Sequence, residues 1–309
     1  MGQIEETLKQ LQQGVQELQE SEKYKRYLET MSKFYNYSVN NILLICMQMP
    51  GATRVASYTC WRDKFHRQVL KGEKGLTIIA PTPYKKKYEV EVINADGTPA
   101  LNPDGTPITE QKEIEHMAFR ICKVFDVSQT EGKPLPEIVS ELINPVENFS
   151  DYLSAIREIA PVPVRFDNVE GGAKGYYSPT AKEIVIKRGM PEEQTIKTLL
   201  HECAHARLGH GSKEDMLDRS TQEIQAESVA FCCCKALGLD TSEYSFGYIA
   251  GWASTKEVKE LTESLQVIRE QAEHMISNIT EKMQQLLELR QEKSALPLLV
   301  DKPAVVMKM

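Results

Sequence analysis

The sequence has no apolar run long enough to cross a membrane. Stretches such as 42–47 (ILLICM) fall far short of the roughly 18 residues a spanning helix needs. None of its seven cysteines forms a CxxC pair, which removes thiolate zinc sites of the usual spacing. An odd number of thiols also cannot pair completely. They read as small apolar residues of a reducing compartment, the adjacent Cys232, Cys233 and Cys234 included. No basic segment followed by an apolar core opens the chain. Glu6 occupies the position where a myristoylation signal at Gly2 wants Ser or Thr. The expectation is a cytoplasmic protein without a membrane partner. Positive charge is in deficit too: the formal net charge is −7, which, read over the whole chain, argues against nucleic acid.

What is present is an ordinary globular balance, 41% apolar and 26% charged. A length of 309 residues suggests about two domains. Residues 3–33 carry Ile4, Leu8, Leu11, Val15 and Leu18 at helical steps and continue with Tyr24, Tyr27, Leu28 and Met31, which predicts one amphipathic helix. A second, more buried helix is predicted over 40–49, ended by Pro50-Gly51. A short helix over 61–66, a turn at 71–75 and strands over 76–81, 88–93 and 113–125 follow. Two similar turns, 96–99 and 104–107, punctuate a hairpin insert. Pro134, Pro136 and Pro145 mark a boundary. Beyond it the pattern predicts a helix at 152–159, a small antiparallel sheet using 162–166 and 183–187, and helices over 192–209 and 221–237. A long helix over 257–293 then repeats apolar residues every seven positions. That seam suits either packing on its own protein or a homo-oligomer.

His201-Glu202-Cys203-Ala204-His205 is an HExxH motif. On a helix its two histidines share one face and can chelate one Zn2+, with Glu202 beside the open position. A third ligand is needed. His210 follows His205 by five residues, one short of the spacing in the HExxHxxGxxH pattern. Glu223-Ile224-Gln225-Ala226-Glu227 is the better source. Its two acids share a helix face, so one can bind zinc while the other accepts the outer N–H of a ligand histidine. Zinc would bring the pKa of a bound water to about 7, and Glu202 would take its proton as general base. Tyr176, Tyr177 and Tyr244 are candidate donors to a developing oxyanion. A metal or redox site at 232–234 is disfavoured, because adjacent residues point in different directions on a helix.

His201–His205 followed by Glu223–Glu227 resembles gluzincin-like metallopeptidase domains. It is most similar to the C-terminal domain of ArdC-type antirestriction proteins, and also to the ImmA/IrrE group. The resemblance implies Glu223 as third ligand and Glu227 as its supporting acid, although many gluzincins carry Asp at the latter place. In the N-terminal half, Tyr37 to Ile45, Trp61, the segment 69–75 (VLKGEKG) and the segment 124–130 (VFDVSQT) resemble the ArdC N-terminal domain in order and spacing. That family domain binds single-stranded DNA. The hairpin insert and long C-terminal helix are more similar to ArdC-like and LtrC-like proteins of conjugative elements.

The local charge agrees with that implication. Between residues 54 and 87 the cations are Arg54, Arg62, Lys64, Arg67, Lys71, Lys74, Lys85, Lys86 and Lys87, against Asp63 and Glu73. The segment carries +7 and the remainder −14. Tyr58, Trp61, Phe65, Tyr84 and Tyr88 interleave with those cations, as single-strand binding requires. Solvated turns and core aromatics are the plainer reading of the same residues, with Trp61 in the core. Asn40 and Asn41 suit either a nucleic-acid contact or a helix cap.

The expected fold is α+β. An N-terminal α+β single-stranded-DNA-binding domain covers 1–130, with the insert hairpin at 88–117. A linker at 131–144 leads to a zincin-like metallopeptidase domain over 145–250. A long helix or coiled coil (251–295) and a tail (296–309) complete the chain. The expected function is a single-stranded-DNA-binding protein of a mobile element with a zinc metallopeptidase-type site and a possible peptide substrate. The alternatives are a regulatory protease recruited by its N-terminal module, and a non-catalytic DNA-binding protein with structural zinc.

Overall fold

A computed structural model describes residues 2–95, 97–135, 149–244 and 246–295, with side chains as far as 290. Most of the expected linker, the whole tail 296–309, and Asp96 of the first predicted turn lie outside these residues. The architecture is mixed α+β and ends in a long helix.

The amphipathic stretch at the start is two helices, α1 (Gln3–Glu17) and α2 (Ser21–Lys33), not one. The chain turns at 18–20, where the backbone N–H groups of Leu18, Gln19 and Glu20 bond three residues back. Apolar periodicity runs through the break because both helices bury the same side. Ser38 caps α3 (Val39–Gln48) by accepting from the Asn41 N–H. Seven of this helix's ten residues are apolar, and Ile42 to Cys46 lie in the core.

Strand β1 (Val55–Ala56) and helix α4 (Tyr58–Asp63) precede β2 (Arg67–Val69) and β3 (Leu76–Glu91). Strand β3 pairs antiparallel with β4 (Thr109–Asp126) without interruption, from Leu76↔Val124 to Glu91↔Thr109. The strands expected over 76–81 and 88–93 thus fall on one continuous strand, β3, and the one expected over 113–125 is part of β4. The end of the resulting ribbon is folded by the isolated bridges Ile93↔Pro99 and Leu101↔Pro107. The root of the ribbon lies in the core through Leu76, Ile78 and Val124, while Tyr84 and the residues beyond it extend into solvent. Sheet order is β1-β4-β3, so β3 is an edge strand. Two side-chain amides from α3 cover the start of that edge. Asn41 exchanges two hydrogen bonds with the backbone of Ile79, both 2.8 Å. Gln48 does the same with Thr77, at 2.9 and 2.8 Å. Asn41 is therefore a structural residue. Strand β5 (Thr130–Gly132) pairs with β2.

After α5 (Phe149–Ile159) come β6 (Val164–Asp167), β7 (Gly175–Ser178) and β8 (Glu183–Lys187). They form a sheet of order β6-β8-β7. The antiparallel sheet expected is mixed: β6 runs parallel to β8, and only β7 is antiparallel to it. The edge strand β7 lies against α6 (Glu192–Leu208). A Cβ at Gly175 would come within 2.9 Å of Thr198 Cγ2 and of the Val185 carbonyl, so glycine permits the approach. Asp218 caps α7 (Arg219–Ala236) through the Thr221 N–H at 2.9 Å. Helix α8 (Ile249–Ala253) leads to α9 (Val258–Ala295).

One apolar core runs through both halves of the chain. Helix α2 packs on α7, where the buried Tyr24 hydroxyl meets Ser228 Oγ at 2.8 Å and Tyr24 meets Phe246 edge to face. The long helix α9 buries Leu261, Leu265, Ile268, Ala272, Met275, Ile279 and Met283 against this body, so most of its heptad seam packs inside the molecule. The Cys232–Cys234 run is fully buried in α7 as small apolar packing, and burial pushes the Cys234 thiol up to about 12. Among the described residues no helix is long and apolar enough to cross a membrane.

Candidate functional site

Helix α6 carries His201 and His205 one turn apart, and the facing helix α7 carries Glu223 and Glu227 with the same spacing. The four side chains meet between the helices. His201 Nε2 and His205 Nε2 lie 3.0 Å apart, and Glu223 Oε2 is 3.6 Å from each. A tetrahedral ion with bonds of about 2.0–2.1 Å separates its ligand atoms by about 3.3 Å. The three edges bracket that value, and two imidazoles with one carboxylate are a borderline-cation donor set. These three residues can hold a metal ion. Glu227 lies elsewhere: its Oε2 is 3.2 Å from His201 Nδ1, the outer nitrogen.

The electrostatics follow from this geometry. Burial opposes a charged imidazole at His201. Glu223 and Glu227 outweigh it, with Glu202 adding to them, and push its pKa up to about 10. The same contacts, from His201 and then His205, hold the Glu223 carboxyl far below the usual carboxylate range. Burial raises Glu202, opposed by the charges of His201 and His205 and by the backbone N–H of Tyr177. Glu202 lines a cleft of about 420 Å³ together with His201, Glu227, Lys197, Glu243 and Tyr244, with Gly175 of the edge strand as one wall.

The three tyrosines fall in different places. Tyr244 lines the cleft, with its hydroxyl 3.5 Å from Cys234 Sγ. Tyr177 contributes its backbone, and Tyr176 is exposed. Tyr248, which no sequence pattern marks, is close enough for Glu227 and Glu223, after burial, to raise its hydroxyl. His210 is buried behind His205. Gly209 ends α6 in the left-handed conformation (φ 70°) and folds the chain back, so that His210 N–H donates to the His205 carbonyl.

The basic residues of 54–87 do not form one surface. Arg67 is bound into β5 through Thr130 and the carbonyls of Thr130 and Lys133. Arg62 pairs with Asp63 at 2.6 Å. Arg54 is half-buried, its backbone held by Asp126. Trp61 is fully buried, and its Nε1 donates to the Phe125 carbonyl at 2.8 Å, so its ring offers no face to solvent. Lys64, Lys71 and Lys74 are exposed.

Pairing register divides Lys85, Lys86 and Lys87 between the two faces of the ribbon. One face carries Tyr84, Lys86 and Tyr88 opposite His116, Ile114 and Lys112, with Arg120 nearer the root. There Tyr84 stacks on His116 at 5.4 Å and Lys86 lies over the Tyr88 ring at 5.2 Å. The other face carries Lys85 and Lys87 opposite Glu115 and Glu113, with Glu89 and Glu91 beyond them, so acids offset its cations. Lys112, Arg120 and His116 escaped the composition argument because they lie on the return strand.

Residues 2–125 match the family described as the N-terminal domain of anti-restriction factor ArdC. Residues 158–277 match a peptidase family described as the IrrE N-terminal-like domain. An uncharacterized protein of Bacillus anthracis, pXO2-81, is 28% identical over 294 residues, covering 85% of this chain and 48% of its own length. The DNA primase TraC of Escherichia coli is 26% identical over 224 residues, which is 67% of this chain and 14% of the primase. The chain thus spans about half of the first relative and a small part of the second. Crystal structures of antirestriction protein ArdC from plasmid R388, metal-free and Mn(II)-bound, align with TM-scores of 0.46 at 19% identity. The metal-free one covers 81% of this chain and 86% of its own, and the Mn(II)-bound one 80% and 85%.

Proposed function

We infer that the chain is an ArdC-like protein in which an ArdC-type N-terminal domain precedes an IrrE-like peptidase domain. On that premise we propose a single-stranded-DNA-binding protein of a mobile element that carries a zinc hydrolase centre acting on peptide bonds. The boundary between the two tasks is proposed at 131–144. The observation that carries the hydrolase reading is the convergence of His201 Nε2, His205 Nε2 and Glu223 Oε2 at edges of 3.0, 3.6 and 3.6 Å.

His201, His205 and Glu223 would hold the ion, and Glu227 would orient His201 by accepting its Nδ1–H. Bound zinc supplies Lewis acidity and a water that ionises near neutral pH. Glu202 takes the proton of the attacking water and returns it to the leaving amine. Its burial, which raises the carboxyl, suits it to both halves of that task. Tyr244, which lines the cleft, and Tyr248, whose hydroxyl feels Glu227 and Glu223, are the donors assigned to a developing oxyanion. The edge strand β7 and the cleft beside it offer backbone pairing to an extended peptide. Nucleic acid is assigned to the Tyr84, Lys86, Tyr88, His116, Lys112 and Arg120 face of the ribbon, with Lys64, Lys71 and Lys74 as further phosphate contacts.

The test uses the purified chain. Zinc content near one per chain, with peptide cleavage lost in Glu202→Gln while zinc is kept, supports the centre as an enzyme. Zinc-loaded protein that cleaves none of a broad peptide mixture would remove the enzymatic part and leave a structural metal. Failure to bind an unstructured oligonucleotide at low salt would remove the nucleic-acid part.

A further inference from the structure

A file of buried polar side chains leads away from the metal centre. His205 Nδ1 lies 2.9 Å from His210 Nδ1. His210 Nε2 lies 3.2 Å from Gln225 Oε1, and Gln225 Nε2 donates to Ser264 Oγ at 3.1 Å. His210, Gln225 and Ser264 are 4%, 3% and 6% exposed, so none of these groups can turn to water for a substitute partner. The file starts at a proposed ligand on α6, crosses α7 and ends on α9.

Its polarity is fixed from one end. A His205 that offers its Nε2 lone pair to a metal carries its proton on Nδ1 and must donate there. His210 then accepts at Nδ1, carries its own proton on Nε2, and donates to the Gln225 carbonyl oxygen. The Gln225 amide is left with its N–H for Ser264. His210 and Gln225 each receive from one neighbour and give to the next, and no donor faces a donor. The nitrogen that His210 meets is the one turned away from His201 and Glu223, so His210 is not itself a ligand. The two ligand histidines are thus supported differently: His201 by the carboxylate of Glu227, and His205 by a neutral relay.

We infer that His210 and Gln225 are positioning residues of the metal centre, locking the tautomer and ring angle of His205 and tying them to Ser264 on the long helix α9. This rests on the metal-centre reading above. It also gives the histidine five residues past the motif a role that ligand spacing does not.

The experiment is zinc titration of the full chain against a chromophoric chelator, with the cobalt-substituted absorption spectrum and metal-free thermal unfolding measured in parallel. Gln225→Leu is expected to weaken zinc binding roughly 10- to 100-fold and shift the cobalt bands, in a metal-free chain that still unfolds cooperatively but at a lower temperature, since His210 and Ser264 lose a buried partner. Gln225→Glu restores an acceptor for His210 and is expected to return affinity to within about threefold of wild type. His210→Phe should match Gln225→Leu; if it does not fold, the Gln225 pair decides. Gln225→Leu binding zinc like wild type would overturn the inference while the metal reading survives. Equal losses in Gln225→Leu and Gln225→Glu would overturn it as well. Wild type that binds neither zinc nor cobalt would bring down both.

Discussion

A ligand that binds the folded chain alone must raise its unfolding temperature, and the size of the rise can be worked out. At a free zinc concentration 100 times the dissociation constant, the linkage term is about 2.7 kcal/mol. A chain of 309 residues unfolds with an entropy of about 0.65 kcal/mol/K near 60 °C. The quotient is a rise of about 4 °C, within reach of differential scanning calorimetry. The structure says which side chains the rise depends on. Glu223 supplies one of three converging atoms and, among the described residues, the carboxylate within 3.6 Å of both Nε2 groups, so Glu223→Ala should lose nearly all of it. His201→Ala should do the same. Glu202→Gln should keep nearly all, since Glu202 lines the cleft without belonging to the converging set. A wild-type protein whose transition does not move with zinc, or an undiminished rise in Glu223→Ala, would refute the reasoning.

Other outcomes follow from the same contacts. In oligonucleotide titrations, Tyr84→Ala, Lys86→Ala and Tyr88→Ala should each weaken binding, by about 1–3 kcal/mol for a lost stacking ring. Lys85→Ala and Lys87→Ala, on the face that carries the acids, should change it little; the reverse ranking would move the interface to the other face. Trp61→Ala should cost about 3–5 kcal/mol in denaturant unfolding, because it empties a core site and removes the indole N–H bond to the Phe125 carbonyl. Asp126 is raised by burial but lowered more by the N–H groups of Ser128, Thr53 and Arg54, and its net displacement is downward. Its carboxylate therefore stabilises the fold above the unfolded-state pKa, and that contribution is lost as pH falls through the folded value. Asp126→Asn should flatten the acid limb of a stability–pH curve. Tyr248→Phe should lower peptide cleavage while leaving zinc affinity within about twofold, as a hydroxyl acting on the oxyanion would.

Where one residue type answers to one periodicity, the fold was legible in the sequence. The four longer helices of the C-terminal half fall within a few residues of their predicted ends, because apolar spacing and caps such as Asp218 act locally, whereas the five-residue α8 is too short to show a period and was not predicted. The metal centre was legible for the same reason: HExxH and ExxAE each place two side chains on one helix face, and only their meeting needed the fold. What escaped depended on partners distant in sequence. The break at 18–20 is invisible when both helices bury one side. The parallel pairing of β6 with β8 is a matter of topology, and local alternation cannot distinguish it from a hairpin. Trp61 had two readings by composition, and its depth in the core depends on Phe125, more than sixty residues away. The lysine run looked like one patch because a sequence lists strand neighbours in a line, whereas a pleated strand sends them alternately to opposite faces.

The amides of Asn41 and Gln48 have a consequence for how this molecule meets others. They saturate the outward N–H and C=O of residues 77 and 79, and alternation gives the same outward direction to 81 and 83. Those two positions are Pro81 and Pro83, which have no N–H to offer. The next two in the series are Lys85 and Lys87, charged side chains of the kind that discourage strand addition along an edge. From root to tip this side of the ribbon is therefore insulated against an incoming strand, first by side chains, then by prolines, then by charge. A long two-stranded arm held out in solvent is an invitation to aggregate, and here one of its margins has been closed along most of its length. An encounter through backbone pairing is left with the β4 margin, so the ribbon is a tape with one adhesive side.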